Sequence, residues 1–247
     1  MTYSIIIANK FVNFKLIKTI KSIAIQKCLK ETEVIIVNKD KNNNLNHLTN
    51  LFSNIKLKII NSNDKNISDA FNKALKIVKN KYVYFIGSGD TFYNQNVLKN
   101  LKKFTHDKKN QLIIGKVLIH GKYKTKISHT FNNKFSLLTK LSIPHQGLFM
   151  KKDYFIKYGN FDTKLIYAMD YDLILRSYND FPKFISLNQI ICNWPLDGIG
   201  KNKTLKILKE YHYIRKKNKI TNSLILKVIF YYSKLKFILK KYIKFNK

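Results

Sequence analysis

Residues 82–92 read YVYFIGSGDTF: five residues suited to a buried β-strand run straight into Gly-Ser-Gly and a lone carboxylate, Asp90. Tyr, Val, Phe and Ile favour the pleated interior of a sheet. Two glycines at the strand's end let the backbone turn sharply or approach a ligand closely. The acid is therefore presented at a strand end. A capping aspartate needs no such approach, so Asp90 is a candidate functional residue rather than a turn former.

Working outward, the strand is the fourth of an alternating series. Strand SIII at 4–7 precedes a helical pattern at 13–26, strand EVIIV at 33–37, a polar turn NKDKNNN and a helix near 45–53. Strand KLKII at 56–60 and a helix over 68–80 complete the run. Strands alternating with helices of this length predict right-handed βαβ units and a mostly parallel, Rossmann-like α/β sheet. Beyond Asp90 the alternation loosens. A helix is expected near 95–105, a strand at 112–120, a helix near 151–158, helix-forming residues in FDTKLIYAMDYDLILRSYND, and a strand near 184–193.

The charge is extreme, with 47 Lys+Arg against 14 Asp+Glu giving +33. Such a field favours nucleic acid, an anionic membrane surface or phosphorylated substrates. Lys, Asn and Ile are abundant throughout, so compositional bias explains the charge equally well, and acids become informative where they gather. No zinc spacing, RNA-binding sheet motif or helix-turn-helix supports a nucleic-acid-binding protein, the alternative that charge suggests. Cys28 and Cys192 lack metal-ligand spacing and are expected as buried free thiols. Met1-Thr2-Tyr3 leads directly into SIIIA without a basic n-region, which predicts a cytoplasmic protein.

In open parallel sheets ligands bind beyond the carboxyl ends of the strands. Asp40, Asp64 and Asp90 follow three successive strands, and together they suit a ribose, a base edge and a divalent metal. Taken singly, Asp40 fits a turn former, while Asp64 and Asp69 fit helix caps. Asp170 and Asp172 in AMDYDLILRS either cap a helix start, where the macrodipole favours a carboxylate, or supply a general base.

These motifs together resemble the family 2 glycosyltransferases, inverting sugar transferases of the GT-A fold. The resemblance runs over residues 4–200 and is nearest to bacterial exopolysaccharide, O-antigen and colanic-acid-type enzymes. It rests on DKNISDAFNKAL (64–75), FIGSGDTF (85–92), PHQGLF (144–149) and FDTKLIYAMDYDLILR (161–176) in the family's order. It implies a transferase domain at 1–200, with a donor half to about 92 and an acceptor half from 93, followed by a basic helical extension at 201–247. It also implies a UDP-, GDP- or dTDP-sugar donor, a glycan or polyprenyl-linked acceptor, and Mg²⁺ or Mn²⁺ as cofactor. A non-catalytic sugar-nucleotide-binding relative is the remaining alternative.

Residue by residue, the resemblance places Asp90 on the metal, with Ser88 where the family's DxD motif has its first acid. One carboxylate suffices for Mg²⁺, which completes its shell with phosphate and water. Asp170 matches the general base, and Asp172 supports the site or caps its helix. His145 and Gln146 match a pair that contacts acceptor or donor phosphate. Asp64, Asp69 and Asn72 match the segment lining the donor. Asn9 and Asn38 stand at the ends of the first two strands, where the family's usual residues differ, and Asn can still accept and donate to a base edge. Asp40 is a second candidate there. In WPLDGIG (194–200), Trp194 either stacks on a sugar or is half-buried at a tight turn.

Residues 201–247 hold fifteen Lys+Arg and a single acid, Glu210. The segment 221–247 interleaves seven lysines with Leu, Ile, Val, Phe and Tyr. Its longest uncharged run is far below the ~20 apolar residues a spanning helix needs. It fits either an amphipathic helix lying on an anionic membrane, peripheral on the inner face, or a helix packing its apolar stripe on the domain.

Overall fold

The computed structural model describes residues 2–40, 45–107, 109–121, 123–196, 198, 200 and 202–245. Part of the polar turn after the second strand (41–44), and Asp197 and Ile199 of the 194–200 loop, lie outside the described residues.

The alternating first half forms as expected: β1 (Tyr3–Asn9), α1 (Phe14–Ala24), β2 (Thr32–Asn38), α2 (His47–Leu51), β3 (Lys56–Asn61), α3 (Ile67–Leu75) and β4 (Tyr82–Gly87). Then follow β5 (Thr91–Phe92), α4 (Val97–Lys102), β6 (Leu112–His120), β7 (Thr125–Ile127), β8 (Leu148–Lys151), α5 (Lys152–Tyr158), α6 (Met169–Leu175), β9 (Phe184–Pro195), α7 (Thr204–Lys217) and α8 (Ser223–Phe245). The period of two along each central strand divides the core. Ile5, Ile7, Tyr82, Tyr84 and Ile86 face α1, α2 and α4, whereas Ile6, Val83 and Phe85 face α3, α5 and α6. Each fully buried side chain of this size contributes about 1.5–3 kcal/mol. That explains strands apolar on both faces.

The sheet order is β3-β2-β1-β4-β8-β6-β9-β5, with β7 on β6. The β3-β2-β1-β4 half is parallel, as the alternation predicts. The second half is mixed, because β8 inserts antiparallel between β4 and β6. The expected helix over 68–80 ends at Leu75. Beyond it, the N–H of Lys79 donates to Glu33 (2.7 Å) and that of Asn80 to Ser4 Oγ (3.3 Å), tertiary acceptors that replace the helical ones. Both cysteines are free and Cys192 is buried, but Cys28 is part-exposed at a left-handed residue with φ 81°.

Gly147 opens β8. A Cβ there would collide with the carbonyl oxygen of Gly115 on β6. Only glycine lets the two backbones approach this closely. Gly147→Ala is expected to lower stability by about 1–3 kcal/mol. Urea unfolding checks this, and an unchanged midpoint would count against the close approach.

Candidate functional site

The loop leaving β4 is built around Asp90. Its Oδ2 accepts the N–H of Gly87 (3.1 Å), and its own N–H returns to the Gly87 carbonyl (3.0 Å). A side chain on Gly87 would stand 2.9 Å from that carboxylate oxygen, and Gly89 sits at φ 106°, a region L-residues avoid. The Gly-Ser-Gly sequence is thus what allows the acid to fold back over the strand end, only 6% exposed.

A polar edge of α1 locks this loop. Thr19 Oγ1 accepts the Gly89 N–H (2.9 Å) and donates to the Asp90 carbonyl (2.8 Å). Ser22 Oγ accepts from Phe92 N (3.2 Å), and Gln26 donates to Asn94 O (2.7 Å) and accepts from Leu98 N (3.2 Å). Sequence reading passed over these three. Their signal was present as polar residues at i, i+3 and i+7 within an apolar helix.

Because β8 runs antiparallel to β4, with Tyr84 opposite Phe149, the start of β8 lies beside the exit of β4. That places the turn His145–Gly147 near Asp90, and the buried Tyr84 hydroxyl donates to the Gln146 carbonyl (2.7 Å). His145 Nδ1 lies 3.3 Å from Asp170 Oδ2, their side chains 33% and 15% exposed. A small apolar cavity lined by Phe71, Phe85, Met169 and Leu173 adjoins the pair. Burial alone would lower the imidazole's pKa, but the hydrogen bond and charge of Asp170, with the more distant charge of Asp90, outweigh it and raise it above 6.5. Three groups from separate segments therefore share one electrostatic neighbourhood.

The ends of β1, β2 and β3 form a second polar cluster. Asn9 Nδ2 donates to Asn38 Oδ1 (3.0 Å), and Asn38 Nδ2 reaches the Asp40 carbonyl (2.9 Å) and Asn61 Oδ1 (3.3 Å). Asp40 Oδ2 accepts the Val12 N–H (3.2 Å). Two buried acceptors, Asn9 Oδ1 and Asp64 Oδ1, have no hydrogen-bond partner among the described residues. Buried polar atoms are nearly always satisfied, so both suit a ligand that brings donors.

Four other expected residues are placed differently. Asp172 is fully buried and held by Arg176, Lys217 (3.2 Å) and Asn218 (3.2 Å), so it organises α6 and does not face a substrate. Asp69 lies in the first turn of α3, where it accepts the Lys65 N–H (2.9 Å) and pairs with Lys73 (3.3 Å), while its own N–H donates to Asn66 (3.0 Å), the N-cap of that helix. Asn72 bonds the backbone N–H and carbonyl of Phe161 (3.0 and 2.9 Å), joining α3 to the segment before α6 rather than lining a donor. Trp194 is half-buried against the core, but within strand β9 rather than at a tight turn. Ser88 is half-buried in the Asp90 loop, and Gln146 is buried.

No group of three or more His, Cys, Asp or Glu side chains forms a metal cage among the described residues. The donor set, a glycine-cradled Asp90 with the Ser88 hydroxyl nearby, fits Mg²⁺ or Mn²⁺ that arrives with a diphosphate supplying most of its ligands.

The His145–Asp170 pair has a pH signature. A raised folded-state pKa means the protonated ring is stabilised by folding, fully below about pH 6.5 and lost as the pH climbs through the higher folded value. The thermal stability of wild type over His145→Gln should therefore be largest in mild acid and shrink toward alkaline pH. A difference flat with pH would contradict the pairing.

The glycosyl transferase family 2 model matches residues 4–170. A PGL/p-HBAD biosynthesis glycosyltransferase of Mycobacterium tuberculosis (strain H37Rv), and one of Mycobacterium bovis (strain BCG), are each 24% identical over 185 residues, covering 72% of this chain and 70% of theirs. Residues 1–349 of TarS from S. aureus, solved in complex with UDP, superpose with a TM-score of 0.68 at 16% identity over 87% of this chain and 65% of that one. A mannosyltransferase, PcManGT from Pyrobaculum calidifontis, solved with GDP-Man and Mn²⁺, gives 0.64 at 12% identity over 90% of this chain and 65% of that one. The chain thus spans slightly under two thirds of the solved chains it matches, and they show the same α/β glycosyltransferase fold. With the family model covering most of its length, the chain belongs to glycosyl transferase family 2.

Proposed function

We propose that this chain transfers a sugar, with inversion, from a nucleotide-sugar donor to a hydroxyl of a glycan or polyprenyl-linked acceptor in bacterial surface polysaccharide synthesis. The observation that carries this reading is the convergence of Asp90 and the His145–Asp170 pair at the exit of β4. The acceptor oxygen attacks the anomeric carbon, its proton passes to the Asp170 carboxylate, and the bond to the nucleoside diphosphate breaks. His145 holds Asp170 in place through their hydrogen bond and, in its protonated form, would offer a positive charge to the departing phosphate. Asp90 and Ser88 would hold the divalent cation, which supplies Lewis-acid stabilisation of the leaving diphosphate.

The unsatisfied acceptors Asn9 Oδ1 and Asp64 Oδ1 support base recognition at the ends of β1 and β3. An acceptor there suits the ring N–H that uracil, thymine and guanine all carry. Relatives solved with UDP and with GDP-Man leave UDP-, GDP- and dTDP-sugars as donors to screen. Asp90→Ala is expected to weaken Mn²⁺-dependent binding of the nucleoside diphosphate in a thermal-shift titration. Asp170→Asn should retain that binding and lose transfer by about a hundredfold or more. Unchanged transfer by Asp170→Asn would remove Asp170 from its role, and donor binding without transfer by the wild type would favour a non-catalytic relative.

Membrane association belongs to the same proposal. The inner side of α8 packs on α7 through buried Leu226 and through Phe230 against His212 (5.0 Å). On its other side Leu224, Val228, Tyr231, Leu235, Ile238 and Tyr242 are exposed at alternating spacings of four and three, one continuous stripe. Lys227, Lys234 and Lys236 flank it, and 221–247 contains no acid. Like charges oppose pairing with a second copy, whereas each lysine near an anionic leaflet contributes roughly 1 kcal/mol. No described helix is long and apolar enough to cross a membrane. The chain should co-sediment with vesicles containing phosphatidylserine and not with pure phosphatidylcholine, and Tyr231→Ser with Leu235→Ser should abolish this. Equal binding by that double variant would refute the stripe.

A further inference from the structure

Helix α6 carries Asp170 at its second position but begins without a side-chain cap, because its N-cap is Ala168. Backbone N–H groups around a helix start need an acceptor. Here the acceptor comes from α7. Glu210 accepts the N–H groups of Ile166 (3.1 Å), Tyr167 (2.9 Å) and Ala168 (2.9 Å), three successive residues leading into α6. Bonds to an ionised acceptor are about twice as strong as neutral ones. Glu210 is also the single acid of residues 201–247, in a segment otherwise rich in lysine.

The rest of α7 grips both sides of Asp170. Arg215, 1% exposed, donates to the Tyr171 hydroxyl (2.9 Å) and the Thr139 carbonyl (2.8 Å), and its guanidinium lies over the rings of Tyr171 and Tyr211. Tyr171 in turn donates to the Leu137 carbonyl. Lys217 and Asn218 hold Asp172. Tyr211 lies within electrostatic reach of Asp170, since burial and then that carboxylate's charge push its hydroxyl pKa upward. The residues before and after Asp170 are thus anchored to α7, while Asp170 is directed at His145. Three hydrogen bonds hold the backbone from which this seven-residue helix starts, and the Asp170 carboxylate itself accepts the Tyr171 N–H (2.8 Å) and faces His145 (3.3 Å).

We infer that Glu210 is a positioning residue for the base: it fixes the backbone entering α6 so that Asp170 meets His145 and the acceptor. The kinetic consequence rests on the glycosyl-transfer reading; the geometric one does not. Two readouts separate them. The first is NMR titration of the His145 ring, its signal identified by its loss in His145→Gln. The second is steady-state transfer with the donor found by screening.

In Glu210→Ala the His145 pKa should fall toward 6.5 as Asp170 drifts from it. Its kcat should drop about tenfold to a hundredfold, because small misplacements of a catalytic group are costly. Binding of nucleoside diphosphate with Mn²⁺ should stay as in wild type, and Glu210→Gln, which keeps an acceptor oxygen, should recover part of kcat. A wild-type His145 titration together with wild-type kcat in Glu210→Ala would overturn the inference. If Glu210→Ala does not fold, Glu210→Gln decides: a smaller shift of His145 in the same direction supports the role and none overturns it. A His145 shift in a chain whose wild type transfers no sugar would sink the glycosyl-transfer reading and leave the positioning role standing. Active wild type without any shift would do the reverse.

Discussion

The site depends on a four-residue strand, β8, that enters the sheet against the direction of β4. Had it run parallel, its N-terminal turn would lie at the other end of the strands, about 13 Å further from Asp90 at ~3.3 Å per residue. Running antiparallel, it delivers His145 to the place where β4 releases Asp90. The close packing that permits this is set by Gly147, whose missing side chain lets β8 lie against β6. Packing and chemistry are therefore coupled: His145, one half of the pair facing Asp170, sits two residues before the glycine that closes the sheet.

The three groups that converge are stabilised in different ways. Asp90 is held within its own loop and from α1 through Thr19. His145 is held through the backbone of the turn that precedes β8. The residues on either side of Asp170 are held from α7, in the segment that composition marks as a basic extension. Ile214 and Ile220 join the same buried cluster as α3, α5 and α6, so packing continues past residue 200 without a break. Among the described residues, α8 leaves a broad apolar face uncovered.

The extreme charge turns out to say less about the site than the scarcity of acids does. Among the described residues, eight acids pair with Lys or Arg, including Glu33 with Lys58 and Asp162 with Lys217. Most are structural counter-charges, some exposed at both ends, as Asp107 with Lys183, others with the acid buried, as Glu33 with Lys58. Asp170 instead faces a histidine, and Asp64 keeps an oxygen without a partner. Sequence reading could see that acids followed three successive strands. It could not see which were already occupied, since Asp69, Asn72 and Asp172 are consumed by partners as far as 89 residues away in the chain.

What the sequence alone determined is local. Alternating apolar strands and amphipathic helices specify the parallel half through side-chain period, and the glycines around Ser88 announce a strand end bent back on its own acid. The polar series Thr19, Ser22 and Gln26 belonged to that legible part but points to no partner without the fold. Only the tertiary structure decided that β8 inserts antiparallel, that His145 meets Asp170, and that Glu210 holds the backbone leading into a helix whose own N-cap is an alanine. The first and last of these run through backbone groups, which are the same at every residue, and the second joins side chains from separate elements, so no local pattern of side chains reveals which ones will meet.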